Sequence, residues 1–369
     1  MDFQLDGSEE MLRDAARHFL GSRSNVQSLQ LLEDGPTGFD HDAWATTVDL
    51  GWVGIAQAVD VGGSGGTIID AAVIAKEIGR AAWPSPLLGC WSALAVLEHV
   101  GRSDLITRAL SDTAPRVLLA PTEPEAAVTA HQGAAGWTLT ASSTAVEWAE
   151  AASELVVVAS APDGQTLVSV IPSGAPGLEV RAARALDNER VALVRLDGAQ
   201  APAPTTTTAS AGDVAAGIAR GRLLRAAAMV GGAREVLRFT SEYMLQRRQF
   251  NTPLAGFQAV RHHSADMAIA VDGAELLVDQ ACSYLARGGA APGLVAAAVL
   301  KAGQAYVTVV TTAAQLHGGV GVSVEHILPQ HFRRAKAFQL RNGSERTQQQ
   351  AVADTLVRRR THTVMSPID

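Results

Sequence analysis

The spacing of apolar residues changes period twice along this chain, and that limits its possible folds more than any single motif does. Up to about residue 115 the period is helical. Met11, Leu12, Ala15, Ala16, Phe19 and Leu20 recur at helical spacing behind Ser8, a good N-cap ahead of Glu9 and Glu10. Further helices are predicted around Trp44 to Leu50, from Ile68 to Trp83 and, after the break at Pro84-Ser85-Pro86, from about Leu88 to Val100. The cluster Gly62-Gly63-Ser64-Gly65-Gly66 reads as a loop, because no strand-loop-helix unit surrounds it as a dinucleotide fingerprint requires.

From Arg116 the pattern becomes short and β-branched. Val117–Ala120, Trp137–Thr140, Leu155–Val158, Leu167–Ile171 and Val191–Leu196 lie between turn signals such as Pro162-Asp163-Gly164. Strands with no helices between them predict a small antiparallel barrel or sandwich. A Pro-, Ala- and Thr-rich stretch from Ala201 to Ser210 reads as a linker. Beyond it the helical period returns. Leu223, Leu224, Ala227, Ala228, Gly231 and Val236 can line one face, with Gly231-Gly232 admitting a close neighbour; helices follow over about Gln258–Arg287, Pro292–His317 and Glu345–Arg360. The expected class is α+β: an N-terminal helical domain (1–115), a middle β-barrel domain (116–205) and a C-terminal four-helix bundle (206–369).

Composition narrows the function classes. A hydrophobic content of 47% with 18% charged residues is that of a globular chain, and a net charge of -7 without a basic run argues against nucleic-acid binding. No apolar stretch free of charges and turn residues is long enough to span a bilayer, and the acidic start is unlike a signal peptide. Cys90 and Cys282 match no metal or redox spacing, so both are expected as buried thiols in a reducing cytoplasm.

The chemistry concentrates in Arg247-Arg248-Gln249-Phe250-Asn251-Thr252-Pro253-Leu254-Ala255-Gly256-Phe257-Gln258. This stretch reads as a helix end, a Pro-Gly loop and a new helix start. Arg247 and Phe250, three apart, could share a helical face, and a guanidinium suits the paired oxygens of a pyrophosphate. The plainer alternative is a surface arginine beside a helix-loop-helix with Phe250 and Phe257 in its core. A second stretch, Gln315-Leu316-His317-Gly318-Gly319-Val320-Gly321-Val322, follows. Together the two resemble the C-terminal domain of the acyl-CoA dehydrogenase family, where R-x-x-F-G…F-Q and Q-x-x-G-G-x-G occur in this order. Leu50-Gly51-Trp52, Gly54-Ile55-Ala56, the glycine cluster, Ile74–Ala81 and Pro84–Leu88 likewise look like that family's N-terminal domain.

The resemblance implies an FAD-dependent α,β-desaturation of an acyl-CoA thioester in lipid metabolism, with electrons passing to an electron-transfer flavoprotein or similar acceptor. That oxidation needs a carboxylate base for the Cα proton. At the family's two base positions this chain has Asn342 and Gly221, and an asparagine amide is not a base near neutral pH. In the β domain, Thr122-Glu123-Pro124-Glu125-Ala126-Ala127-Val128-Thr129 departs from the family's T-E-P-x-A-G-S-D. Ala145-Val146-Glu147-Trp148-Ala149 stands where F-x-T-N-G is usual, putting an anion and a bulky ring at expected flavin contacts.

The residues that the family supplies across its dimer interface to the ADP half of FAD are retained: Arg247, Phe250, Leu254, Gln258, Gln315 and Gly319, with Asn251 in place of a glycine. By the same resemblance His317 packs near the adenine. The pattern implies a degenerate subunit that donates this clamp to a related, intact partner in an α2β2 heterotetramer acting on a bulky thioester, such as a steroid side chain in steroid degradation. Two alternatives stand beside it: a homomeric enzyme with a displaced base (Glu345, Glu235 or Glu242), and a flavin-free binding or scaffold protein. No metal site is expected, since the adjacent His262 and His263 point to different helix faces; Arg358-Arg359-Arg360 reads as a solvated helix end.

Overall fold

The computed structural model describes residues 4–119, 127–133 and 136–364. The chain divides into two compact units, one made of residues up to Leu29, Ile68–Trp83 and everything from Leu223, the other of Gln30–Thr67 and Pro84–Arg222.

The first unit is helical. Its α1 (Gly7–Gly21) packs on α4 (Ile68–Arg80). The α1 cap is Asp6 and not Ser8: the Asp6 carboxylate accepts from the Ser8 and Glu9 N–H groups while Glu9 accepts from the Asp6 N–H, which satisfies three donors. The C-terminal helices are α7 (Ala211–Gln246, in this unit from Leu223), α8 (Gln258–Ala286), α9 (Pro292–His317), α10 (Leu328–Arg341) and α11 (Glu345–Val364). As the glycine pair suggests, α7 sits against its neighbours at backbone distance: a Cβ at Gly231 would collide with the Lys76 carbonyl, and one at Gly232 with the Tyr306 ring.

Four helices were expected here, and α10 adds one more. Arg333, Arg334, Lys336 and Arg341 make its sequence read as polar, yet Arg334 is fully buried. The Arg334 guanidinium lies 4.5 Å from the Phe338 ring centre and donates to the Ala82 and Trp83 carbonyls at 3.3 and 3.0 Å. By length and composition α9 could cross a membrane, which departs from the sequence reading. Most of it is buried against α8, α10 and α11, as in the core helix of a bundle.

The second unit holds α3 (His41–Asp49), α5 (Leu87–His99), α6 (Ser103–Leu110) and an eight-stranded sheet; α2 (Val26–Asp34) runs across the boundary between the two units. The strands are β1 (Arg116–Leu119), β2 (Thr129–Gly133), β3 (Gly136–Glu147), β4 (Glu154–Ser160), β5 (Thr166–Pro172), β6 (Leu178–Ala183), β7 (Val191–Ala201) and β8 (Thr206–Ala209). Their order is β6-β7-β3-β2-β4-β5-β8, with β1 parallel to β4 in an otherwise mostly antiparallel ladder. Strands β5 and β7 approach one another although three strands separate them in the ladder, so the sheet folds over on itself.

The predicted linker instead holds the last residue of β7, a 3₁₀ turn at Ala203–Thr205 and then β8. The β8 threonines pair with β5, and Thr206 Oγ1 meets Ser169 Oγ at 2.9 Å. Branched side chains fit a pleated edge better than the linker reading allowed. The core between sheet and helices joins Leu94 and Leu97 of α5 and Leu105 and Ile106 of α6 to Val156, Val168 and Val170.

Candidate functional site

Arg247 follows directly on α7, and its N–H donates to the Tyr243 carbonyl at 2.8 Å. The chain then forms a short hairpin, Arg248–Gln249 (β9) pairing with Thr252–Pro253 (β10) around Phe250 and Asn251. Their φ values, 48° and 67°, are both left-handed, as in a type I′ turn. Asparagine adopts this backbone readily, which accounts for Asn251 where glycine is usual; for Phe250 it costs about 1–2 kcal/mol. Phe250 is 90% exposed, with its ring edge-on to Phe257 at 6.4 Å. Arg247 and Phe250 therefore share no helical face, and Phe250 is not a core residue. The Leu254 N–H donates to the Arg247 carbonyl at 2.8 Å and closes the loop; half-buried Leu254 opens a 3₁₀ turn, and exposed Gln258 opens α8.

Gln315 and Gly319 are exposed on either side of the end of α9, Gly319 within the 3₁₀ turn Gly318–Val322. The two motif segments, far apart in sequence, meet through the last turns of α7 and α9. The Tyr243 ring stacks on His317 with centroids 4.2 Å apart and planes 19° apart. His317 Nε2 lies 3.3 Å from Thr240 Oγ1, and Tyr243 Oη reaches the His317 carbonyl at 3.5 Å. Only 4% of His317 is exposed, so it packs inside the helical unit and is not available to an adenine. Burial, with a smaller contribution from the charge of His326, lowers its pKa to about 4. His326 and His331 lie around the same Phe239 ring, and burial pushes His331 down to about 3. Nothing in the local spacing marks Thr240, Tyr243 or this histidine group.

The two positions where the resemblance places a base, 342 and 221, are both closed by packing. Asn342 is the C-cap of α10 and 2% exposed; its side-chain amide nitrogen lies 4.0 Å from Met229 Sδ, and its backbone carbonyl accepts from Gln348 Nε2 at 2.9 Å. At Gly221, a Cβ would stand 2.8 Å from the Ser92 Cβ and 3.0 Å from its Cα, and Gly217, one turn earlier, is pressed as tightly against Val96. Helix α7 thus lies on α5 with no space for a side chain.

The three alternative carboxylates are already engaged. Glu345 accepts from Gln339 Nε2 at 2.8 Å, and Glu235 and Glu242 both accept from Arg238, at 2.6 Å in each case. Burial would raise the Glu235 carboxyl, but the Arg238 hydrogen bonds and charge outweigh it and hold the pKa below the usual carboxylate range. Such a group is a poor proton acceptor.

Residues 6–115 match the model of the acyl-CoA dehydrogenase N-terminal domain, and residues 212–357 that of the C-terminal domain. The chain belongs to the acyl-CoA dehydrogenase family. Among curated relatives it is similar to acyl-CoA dehydrogenase IpdE2 of Mycobacterium tuberculosis, 28% identical over 327 residues that cover 88% of this chain and 90% of IpdE2. Among solved structures it is similar to the ChsE4-ChsE5 complex from Mycobacterium tuberculosis, with a TM-score of 0.88 and 26% identity over 100% of both chains. It also resembles a variant of the Tcur3481-Tcur3483 steroid ACAD, with a TM-score of 0.87 and 26% identity over 96% of this chain and 99% of that one. The N-terminal helical, middle β and C-terminal helical domains are those of the acyl-CoA dehydrogenase fold.

Acyl-CoA dehydrogenases depend on FAD, and the two sets of candidate residues suit that group unequally. The exposed guanidinium of Arg247, the amides of Gln258 and Gln315 and the glycine turn at 318–319 are donors suited to phosphates and ribose. In the segment 145–149, Val146, Trp148 and Ala149 are buried. Trp148, with φ of 59°, turns inward and packs edge-on to Phe39 at 5.6 Å, so its ring is core and does not face a flavin. Residues 122–126 lie outside the described residues. His262 and His263 are exposed, no three potential metal ligands come together among the described residues, and Cys90 and Cys282 are buried and not joined in a disulfide.

Proposed function

We propose that this chain is the non-catalytic subunit of a hetero-oligomeric acyl-CoA dehydrogenase, in which it helps hold a flavin whose chemistry is completed by a related, intact subunit. The observation that carries this reading is the pair of closed base positions: Asn342 is neutral and buried, and Gly221 has no room for a glutamate against Ser92. Without a carboxylate at either of these two positions, neither can supply the group that takes the Cα proton of an acyl thioester.

FAD, when bound, supplies the hydride acceptor for the oxidation. This chain's part is binding. Arg247 would pair with the pyrophosphate, Gln258 and Gln315 would hydrogen-bond the ADP half, Phe250 and Leu254 would offer it apolar contact, and Gly319 would let the backbone come close. The acyl-CoA would sit mainly in the partner, and the electrons would leave to an electron-transfer flavoprotein or similar acceptor. The two-chain makeup of the ChsE4-ChsE5 complex and of the Tcur3481-Tcur3483 steroid ACAD supports a heteromeric assembly, and the latter's description as a steroid ACAD supports a bulky steroid-CoA substrate class; the assembly we propose is an α2β2 tetramer.

The displaced-base reading is weakened by the hydrogen bonds that already occupy Glu345, Glu235 and Glu242. Flavin content decides among the readings. The chain purified alone should carry almost no flavin, while a complex with a co-expressed neighbouring acyl-CoA dehydrogenase should hold about one FAD per two chains. One flavin per chain in the lone protein would restore the homomeric enzyme, and a complex whose flavin is unaffected by Arg247→Ala would leave a scaffold.

A further inference from the structure

We infer that His317, with Tyr243, is a positioning residue for the nucleotide clamp: a buried aromatic strut that sets the distance between Arg247 and the Gln315–Gly319 turn. The inference rests on the proposed role of those clamp residues. Each half of the clamp is carried by a helix terminus, and helix ends fray unless something ties them down. Arg247 hangs from the last turn of α7 through its bond to the Tyr243 carbonyl, while Gln315 and Gly319 flank His317 itself.

The strut joins these termini directly. The near-parallel stack of Tyr243 on His317 at 4.2 Å fixes the separation of the two backbones. The contact of His317 Nε2 with Thr240 Oγ1 at 3.3 Å fixes the rotation of the imidazole, and the edge of Phe239, with centroids 5.7 Å apart, closes the remaining side. Three residues of one helix thus grip one residue of the other. A clamp whose halves are held in advance loses less freedom when the nucleotide arrives.

The role differs from plain packing in what it changes. A packing defect lowers the number of competent sites. Loss of positioning weakens each site and leaves the number intact.

The test uses the complex with the flavin-bearing partner, stripped of flavin and titrated with FAD, with ADP as competitor. His317→Ala should raise the FAD dissociation constant about three- to tenfold, the scale of one aromatic stack, and weaken ADP in parallel, with unchanged sites at saturation. His317→Phe, which keeps the stack, should recover most of the loss. An unchanged dissociation constant in His317→Ala, or a fall only in the number of sites, overturns the strut. If His317→Ala does not assemble, Tyr243→Leu is judged by the same two criteria. Arg247→Ala separates the two levels of the argument. If it weakens FAD and His317→Ala does not, only the strut fails; if Arg247→Ala also has no effect, the clamp reading fails and takes the strut with it.

Discussion

Around the ends of α7 and α9 and the start of α8, the side chains of Arg247, Gln315 and Gln258 are exposed and have no hydrogen bond or ion pair among the described residues, whereas Gly221 and Asn342 are packed into the fold. The contrast separates positions open to something outside the chain from positions absorbed into its packing. Phe250 is exposed and holds a left-handed backbone, a conformation that costs a non-glycine residue about 1–2 kcal/mol and is found mostly at turns and binding sites. At Gly221 the opposite holds. The close contact of α7 with Ser92 depends on the absence of a side chain at this position.

The most direct way to break this comparison is to remove the arginine. Arg247→Ala should weaken FAD binding by the complex roughly 10- to 100-fold, the worth of a charged hydrogen-bonding group, and leave the urea midpoint of the lone chain unchanged. A loss of stability without a loss of flavin would place Arg247 on the side of the fold. Next in size is Gly221→Glu. Restoring the carboxylate should lower stability by about 1–3 kcal/mol through overpacking against Ser92, and the lone chain should gain no dehydrogenase activity. Activity in that variant would mean that the site is intact apart from its base.

Acid sharpens the comparison for the strut. His317 and His331 are held neutral, with folded pKa values of about 4 and about 3 against an ordinary value near 6.5. Below that ordinary value the unfolded chain takes up protons that the folded one refuses. Stability should therefore be complete above about pH 6.5 and fall steadily as the pH is lowered toward 4. His317→Phe should flatten part of that slope in urea melts recorded at several pH values. The smallest effect is expected at Glu345, where Glu345→Gln should change neither the turnover of the complex nor stability by more than about 0.5 kcal/mol. Abolished turnover would revive a displaced base.

How much of this was legible depended on the range of the interaction involved. The strands β1, β3, β4, β5 and β7 and most helices followed from local period, because one buried face imposes it. Helix α10 did not, since Arg334 is polar by sequence and buried in fact through two carbonyls and the Phe338 face. The Thr-rich stretch at 206–209 read as linker because its strand character is realised only against β5. Within the clamp the residue types were readable, but the hairpin was not: Phe250-Asn251 is an unusual pair for a turn of that kind.

By itself the sequence determined the order of helical, β and helical segments, the two motifs of the acyl-CoA dehydrogenase family, and the lack of a carboxylate at 221 and 342, because each is a matter of residue type and local spacing. The tertiary structure alone decided that Ser92 closes the Gly221 position, that Trp148 turns into the core, and that Tyr243 and His317 tie the two motifs together. Those facts depend on how closely helices distant in sequence approach. That distance is set by the summed packing of whole faces, which no local pattern records.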